Sequence, residues 1–487
     1  MVNPEIGGVV LLLWLLLSLI AFIFQIATIM LLEFRSAPKT VAWLFILFCV
    51  PFIGFVLYYF AARDYKNRRR LRRSGSKLFR EMKALLWRQS SRVEDAAGMQ
   101  NPEFIHRERL FKLLTRLSES PITGCNSTLV LKDGEETFPS MLEAMEQARD
   151  HIHIQFYIFR SDMIGSRFKD VMIRKAREGV EVRLLCDGLG SLKLKKGFIK
   201  ELKEAGVKFH YFLPPWIALL DKRLNYRNHR KIVVIDGRIG FMGGINIGDD
   251  YLGLYSNMGY WRDTHVRIEG DAVYFLQNTF LGDWKLACGE QVDEAGYFPK
   301  HNCGGKEQVQ ILASGPDQYW NAIQEMCFGA TSAATRRIWI TTPYFIPDDG
   351  ILEALKTAAV SGVDVRIIIP YHSDNRLVHW ASLSYVEDLL RTGIKFYQYA
   401  KGFVHAKVMI VDDLLATVGS ANLDMRSFFS NFEMTAILFD ASPIEELARQ
   451  FEEDLQECRP ILLETFLNRP RRQKGMELLA RLLSPLL

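Results

Sequence analysis

From Ile6 to Leu32 the chain carries no formal charge and is almost wholly apolar. A polar link, EFRSAPKT, separates this run from a second apolar one, Val41 to Ala62. Each run exceeds the ~20 residues a helix needs to cross a ~30 Å hydrocarbon core. The pattern predicts a hairpin of two spanning helices, at about 7–32 and 41–62, with Pro51 and Gly54 tolerated inside the second. A secretory signal fits less well, because the first run lacks a positive n-region and a small-x-small cleavage site, and is too long for an h-region. The link holds Arg35 and Lys39 against Glu33, whereas the second run is followed by RDYKNRRRLRRSGSK. Positive flanks stay cytoplasmic, so the hairpin tip is expected outside and everything after residue 62 inside. The same basic run would attract anionic headgroups.

Beyond it, residues 63–118 read as a basic connector with an amphipathic stretch, KLFREMKALLWRQ. From about Pro121, apolar strand-like runs alternate with helical ones, the pattern of an α/β layered fold. The pattern then repeats. IHIQFYIF near 152 resembles IWITTPYF near 338, AREGVEVRLLCDG resembles AVSGVDVRIIIPY, and AGVKFHYF resembles TGIKFYQY. A shared order of matched segments implies an internal duplication of roughly 170–185 residues, a domain-sized period. We expect four regions: 1–62, the membrane helices; 63–118, the connector; 119–300, a first domain; and 301–487, a second domain with a basic amphipathic tail. HNCGGKEQ at 301–308 is the expected join.

Each half reaches one unusual stretch, NHRKIVVIDGRIGFMGGIN from Asn228 and VHAKVMIVDDLLATVGSAN from Val404. Both read His-x-Lys, four residues, Asp, then Gly-Gly/Ser-x-Asn. IVVID and VMIVD are continuous in β-formers and predict buried strands. Side chains alternate along a strand, so His229 and Lys231 share one side, as do His405 and Lys407. Asp236 and Asp412 lie an odd number of residues from their histidines, beside turn residues, and are expected to tie down the turn. Asn246 and Asn422 offer amide donors near the lysines. A lone histidine of this kind is ordinarily a satisfied core residue, but repetition at matched positions points to chemistry. Two such units supply what phosphodiester exchange without a metal needs. One histidine attacks phosphorus, the other handles the alcohol's proton, and lysines and amides hold the non-bridging oxygens.

Composition narrows the alternatives. Net charge is only +5 and the basic residues crowd the membrane side, which argues against a nucleic-acid groove. No phosphate-binding Gly-x-x-x-x-Gly-Lys-Ser/Thr loop appears, which argues against an ATP-driven reaction. The seven cysteines form no Cys-x-x-Cys pair, so neither a zinc site nor a disulfide framework is expected, and reduced thiols are. His151 and His153 alternate on a strand with no third ligand in sight and read as structural. We expect no metal and no cofactor.

The duplicated HxKxxxxD with GGxN or GSxN resembles the phospholipase D superfamily. The membrane segments, the run LNYRNHRKIVVIDG and the ending LARLLSPLL extend the likeness along nearly the whole chain to the bacterial cardiolipin synthase family. That resemblance implies two pseudo-symmetric α/β/α sandwich domains with the active site between them, in a multi-pass protein of the bacterial cytoplasmic membrane. It implies transfer of a phosphatidyl group between two phosphatidylglycerol molecules, giving cardiolipin and glycerol. The family's catalytic set falls on His229, Lys231, Asp236, His405, Lys407 and Asp412, with His229 as nucleophile and His405 as general acid and base. Asn246, Asn422 and Ser420 fall at phosphate-binding or supporting positions, and Asp263 and Glu433 at the carboxylate that follows and orients each histidine. Gly244 stands where the second copy has Ser420, so a hydroxyl is present on one side only. A hydrolytic phospholipase D, another phosphatidyltransferase (making phosphatidylserine or using phosphatidylethanolamine as donor), a membrane-anchored nuclease and a non-enzymatic scaffold are the competing readings. LPPWIALLDKRLNYR is a candidate lipid-dipping loop, His372 a candidate headgroup contact, and FLNRPRRQKGMELLARLLSPLL a candidate surface helix with packing on the domain as its alternative.

Overall fold

The computed structural model describes residues 4–33, 37–61, 86–117, 120–214, 226–254, 258–290, 292, 295–302, 304–318 and 320–487. The basic run at 63–77, residues 78–85 of the amphipathic stretch and the core of the candidate lipid-dipping loop, 215–225, lie outside the described residues.

The first apolar run is one helix, Pro4–Leu32, whose stretch Leu11–Leu32 is long and apolar enough to cross a membrane. The second differs from the single helix expected. It forms Ala37–Cys49 and Ile53–Ala61, broken between them at Pro51. Proline has no N–H to donate and its ring clashes with the preceding turn, and Phe52 takes a φ of 62°. The pieces stay together through Gly54 N–H to Val50 O at 2.7 Å. Ile29, Trp43, Leu47 and Tyr58 bury one another where these helices meet.

The rest is built on a mixed sheet. Its first strands are β1 (Thr123–Lys132), β2 (His151–Phe156), β3 (Glu181–Asp187), β4 (Lys208–Phe212), β5 (Ile232–Ile235), β6 (Ile239–Gly243), β7 (Tyr260–Arg262) and β8 (Thr264–Gly270). Then follow β9 (Glu307–Ser314), β10 (Arg337–Thr341), β11 (Phe345–Ile346), β12 (Asp364–Pro370), β13 (Lys395–Tyr399) and β14 (Gly402–Val404). The last are β15 (Val408–Val411), β16 (Leu415–Gly419), β17 (Leu423–Asp424), β18 (Glu433–Leu438) and β19 (Cys458–Ile461). Fifteen of them form one sheet in the order β19-β13-β12-β10-β15-β16-β18-β9-β1-β8-β6-β5-β2-β3-β4. β2 runs parallel to β3 and antiparallel to β5. β10 runs parallel to β12 and antiparallel to β15.

Alternation along the motif strands decides the layers. Ile232 and Val234 face one cluster while Val233 and Ile235 face another, and Val408 and Ile410 divide from Met409 and Val411 in the same way. The cluster taking Ile232, Val234, Val408 and Ile410 draws from both halves of the sheet, so the motif strands share one core layer. Fully burying such a side chain contributes roughly 1.5–3 kcal/mol. The C-terminal helix Arg471–Leu483 packs on Arg376–Leu390, where Arg481 Nη1 donates to Ser384 O at 2.8 Å. Of the two placements considered for the tail, packing on the domain is the one seen. Among the described residues five cysteines are free, but Cys125 is disulfide-bonded, which corrects the expectation of reduced thiols throughout.

Candidate active site

β5 and β15 start just after Lys231 and Lys407, and at their far ends Asp236 and Asp412 turn the chain, each with a φ of 51°. Aspartate tolerates this left-handed conformation. Asp236 accepts backbone N–H groups from Arg149, Asp150 and His151 at 2.8–3.0 Å. Asp412 accepts those of Thr335, Arg336 and Arg337 at 2.8–2.9 Å. Each aspartate lies seven positions after its histidine, ~23 Å along an extended chain. Asp236 and Asp412 thus fasten the turns that hold the motif strands in register, as alternation along those strands predicts.

The histidines are held crosswise. His229 N–H donates to Phe432 O at 2.9 Å, next to a bridge between Asn228 and Phe432. His405 N–H donates to Arg262 O at 2.7 Å, at the end of the parallel ladder between β14 and β7. Side chains cross in the same sense. His405 Nδ1 meets Asp263 Oδ2 at 2.7 Å, and His229 Nδ1 meets the two Glu433 oxygens at 3.1 and 3.2 Å. Each carboxylate thus orients the histidine of the other repeat, a pairing that spacing along either repeat does not suggest. With both Nδ1 atoms engaged, both rings present Nε2 for chemistry. The pair is only slightly exposed, at 13% for the His229 side chain and 11% for His405.

The Gly-versus-Ser difference has a geometric cause. Ser420 Oγ donates to Glu433 Oε2, and Asn431 Nδ2 donates to Oε1 at 3.1 Å. At Gly244 an added Cβ would lie 2.1 Å from Asp263 Oδ1. Aspartate is one methylene shorter than glutamate, so the backbone must come closer to bring its carboxylate to the ring, and no side chain fits at 244. Burial, opposed by His229, Lys231 and Ser420, leaves Glu433 below its ordinary range, whereas burial of Asp263 pushes its carboxyl up.

Lys231 Nζ donates to His229 O at 2.6 Å, and Lys407 Nζ donates to His405 O. Burial pulls Lys231 down to about 7 and Lys407 to about 8, against the attraction of Glu433 and Asp263. Burial also lowers both histidines, His405 the more strongly because Lys407, Lys231 and His229 add to it. In the empty cleft both rings are neutral at pH 7. An arriving phosphodiester anion favours protonation of one ring, which leaves the other neutral. Asn246 accepts from Ile158 N at 3.0 Å and donates to Tyr251 Oη at 2.9 Å. Asn422 donates through Nδ2 to Asp424 at 3.1 Å. Each amide keeps a second N–H.

Several neighbours escaped the sequence reading. Tyr157 stands edge-on to His229, ring centroids 4.9 Å apart, with Lys231 Nζ 5.6 Å from its own centroid. Trp261 covers His405 at 5.4 Å. Arg230 Nη1 donates to both Asp283 carboxylate oxygens at 2.7 and 2.8 Å, and the same side chain donates through Nε to Glu433 O and through Nη2 to Ser314 O, tying the two motif regions together. Tyr157 sits in the duplicated IHIQFYIF segment, and that repetition was the available signal; Arg230 had none beyond its adjacency to His229. His151 and His153 are buried among Asp150, Gln277 and Arg183, away from the motif histidines. His372 is exposed beside Tyr371.

Two histidine–carboxylate pairs flanked by two lysines can take a phosphorus through a covalent histidine intermediate. The family model described as "Cardiolipin synthase, PLD-like domain" matches residues 141–284 and 330–455, and one described as "Phospholipase_D-nuclease N-terminal" matches 10–63. The cardiolipin synthase of Geobacillus sp. (strain WCH70) is 44% identical over 464 residues, 95% of this chain and 91% of that one. The major cardiolipin synthase ClsA of Bacillus subtilis (strain 168) is 41% identical over 459 residues, 93% of this chain and 95% of that one. The crystal structure of the phosphatidylserine synthase of Haemophilus influenzae Rd KW20 shares the fold, with a TM-score of 0.58 at 14% identity, covering 77% of this chain and 100% of that one. The chain belongs to the cardiolipin synthase family of phospholipase D-like proteins.

Proposed function

We propose that the chain joins two phosphatidylglycerol molecules into cardiolipin and glycerol at the cleft between His229 and His405. The observation that carries this reading is the crosswise pairing of the two histidines with Glu433 and Asp263. In the first step His229 Nε2 attacks phosphorus, the bond to the glycerol oxygen breaks, and His405 Nε2–H protonates the departing alkoxide. Glu433 stabilises the positive ring of the resulting phosphohistidine. In the second step the headgroup hydroxyl of another phosphatidylglycerol gives its proton to His405 and attacks phosphorus, and the P–N bond breaks. One phosphodiester replaces another, so no nucleotide is consumed. Lys231 and Lys407 neutralise the non-bridging oxygens, whose charge grows in the transition state, and the remaining N–H groups of Asn246 and Asn422 assist.

Two pseudo-symmetric domains, 119–300 and 301–487, form the two sides of this cleft, with the connector 63–118 leading in from a membrane hairpin within 1–62. The matching strand orders on either side of β1 and β9 support that division. The hairpin lies in the bacterial cytoplasmic membrane with the catalytic domains on the cytoplasmic side, a reading supported by the basic run after residue 62.

Purified protein in vesicles of labelled phosphatidylglycerol is expected to yield cardiolipin and glycerol in equal amounts. Phosphatidic acid without cardiolipin would make the chain a hydrolase and overturn the proposal.

A further inference from the structure

A second crossing of the membrane has a length to meet. Ala37–Cys49 has 13 residues and Ile53–Ala61 has 9. At ~1.5 Å per residue they reach ~20 and ~14 Å, each short of a ~30 Å hydrocarbon core. Laid end to end they would suffice, but their side chains exclude that arrangement. Trp43 and Tyr58 would stand ~22 Å apart along one helix axis, yet their rings meet edge-on with centroids 5.3 Å apart. At Gly54 an added Cβ would lie 3.1 Å from Ile46 O and from Leu47 Cα, so the two pieces approach backbone to backbone. The second apolar run therefore turns back on itself at Pro51.

Both ends of the folded-back run come to one place. Thr40 Oγ1 donates to Glu33 O at 3.0 Å, and Tyr58 Oη donates to Glu33 Oε1 at 3.4 Å. That place is the surface of the catalytic domains. Leu486 packs on the cluster of Ile29, Trp43, Leu47 and Tyr58, while Leu487 O accepts the N–H of Arg426 at 3.0 Å. Lys39 Nζ lies 5.9 Å from the centre of the Phe429 ring. With two crossings, the link between the runs would instead lie ~30 Å away, beyond the hydrocarbon core.

The opposite end is apolar and uncovered. Phe48, Val50, Phe52 and Ile53 are exposed around the turn, and no residue from Val41 to Ala62 is charged. Its backbone is served locally: Val50 N–H donates to Ile46 O, Gly54 N–H to Val50 O and Val56 N–H to Phe52 O, at 2.7–3.0 Å. Lipid demands such internal pairing. Along the first helix Phe22, Ile26 and Ile29 pack against the folded pair, whereas Leu11–Leu17 are exposed. Phe22 to Leu32 is ~15 Å of helix, half the thickness of the hydrocarbon core.

We propose that residues 37–61 are a re-entrant hairpin, which enters the lipid from the side of the catalytic domains, turns at Pro51 within the bilayer and returns to the same side. Leu11–Leu32 is then the single crossing among the described residues. The link between the apolar runs lies with the catalytic domains and not opposite them, as two spanning helices would place it. The hairpin's partner is one lipid leaflet. Its contacts at Lys39 and Leu486 brace the helix Met425–Phe429, which stands in the chain between Asn422 and Glu433, and so hold that segment of the site at the leaflet's headgroups. Which leaflet this is follows from the cytoplasmic placement in the functional reading; the re-entrant course does not depend on it.

Two measurements on the full chain in its membrane test this. Glu5→Cys, Ala37→Cys and Val360→Cys are treated with an impermeant maleimide in spheroplasts and in inverted vesicles, and each site is read by peptide mass spectrometry; Ala37 and Val360 are exposed. Ala37→Cys is expected to label from the same face as Val360→Cys, and Glu5→Cys from the opposite face. In the second measurement Lys39→Cys and Phe429→Cys, combined, should be joined by a short bis-maleimide, which covers the case in which the domain shields position 37. Labelling of Ala37→Cys from the face opposite Val360→Cys overturns the proposal. So does labelling of Glu5→Cys from the same face, or a missing cross-link when positions 39 and 429 each react singly. If Val360→Cys labels from outside together with Ala37→Cys, the re-entrant course stands and the cytoplasmic placement of the catalytic domains fails instead.

Discussion

His405 meets the shorter carboxylate at 2.7 Å across a bare glycine, while His229 meets the longer one at 3.1 and 3.2 Å with a serine hydroxyl on that carboxylate. The two pockets use the same plan with one methylene exchanged between parts. Where the carboxylate is short, Gly244 lets it reach the ring; where it is long, Ser420 stands at the same place and donates a hydrogen bond to it. The pairs are therefore coupled choices, and a swap of one member alone should fail. The difference also gives the two imidazoles unlike surroundings, as suits a nucleophile and an acid that must not exchange tasks.

The largest effect tests whether the pockets differ in task. His229→Ala and His405→Ala should each lower kcat by ~10⁴-fold or more, since members of a catalytic unit are not additive. Enzyme quenched in detergent at neutral pH, where the P–N bond survives, should carry a phosphatidylated histidine in His405→Ala and not in His229→Ala. The reverse would exchange the two roles while leaving the chemistry in place.

Next comes the exchange of small residues. Gly244→Ser puts a Cβ where the Asp263 carboxylate lies and must displace it from His405. A loss of ~10²-fold or more in kcat, with protein still folded by circular dichroism, is expected, as for misplaced catalytic groups generally. Ser420→Gly removes one hydrogen bond from a glutamate that keeps those of Asn431 and His229, so about a tenfold loss is expected. Equal losses would show that the two pockets do not depend on carboxylate length. Gly244→Ser combined with Asp263→Glu should recover part of the first loss.

A third experiment sets the near end of each motif against its far end. Asp412→Ala strands three backbone N–H donors at the turn, costing about 3 kcal/mol of stability. Its thermal midpoint should fall while kcat of the folded protein stays within about twofold. A kcat loss like that of the histidine variants would return Asp412 to the chemistry.

This contrast marks how much of the site was legible. Alternation along IVVID and VMIVD separated His229 and Lys231 from Asp236 correctly, because side-chain period in a strand is a local property. Duplication gave the existence of two half-sites for the same reason. Which carboxylate serves which histidine was not legible, because Asp263 and Glu433 reach across between repeats, and spacing within a repeat carries no information about that. The break at Pro51 was under-read: hydropathy reports burial in lipid but not the lost N–H.

The smallest effect concerns the lysines and separates binding from stability by sign. Burial holds Lys231 at about 7 and Lys407 at about 8, below the ordinary lysine range. Between pH 7 and 9 the empty cleft loses positive charge, so the apparent KM for phosphatidylglycerol should rise several-fold while kcat, measured on bound and recharged sites, changes less. Folding stability moves the opposite way. Over that range the unfolded chain keeps both lysines protonated and the folded one does not, so the unfolded state binds more protons and the lysines' contribution to stability increases with pH. Lys231→Met should flatten both trends by removing the more strongly perturbed amine, with the pH dependence that remains centred near 8 from Lys407. If KM is instead flat from pH 7 to 9 in the wild type, the two lysines keep their protons without substrate, and the cleft is better solvated than its burial implies.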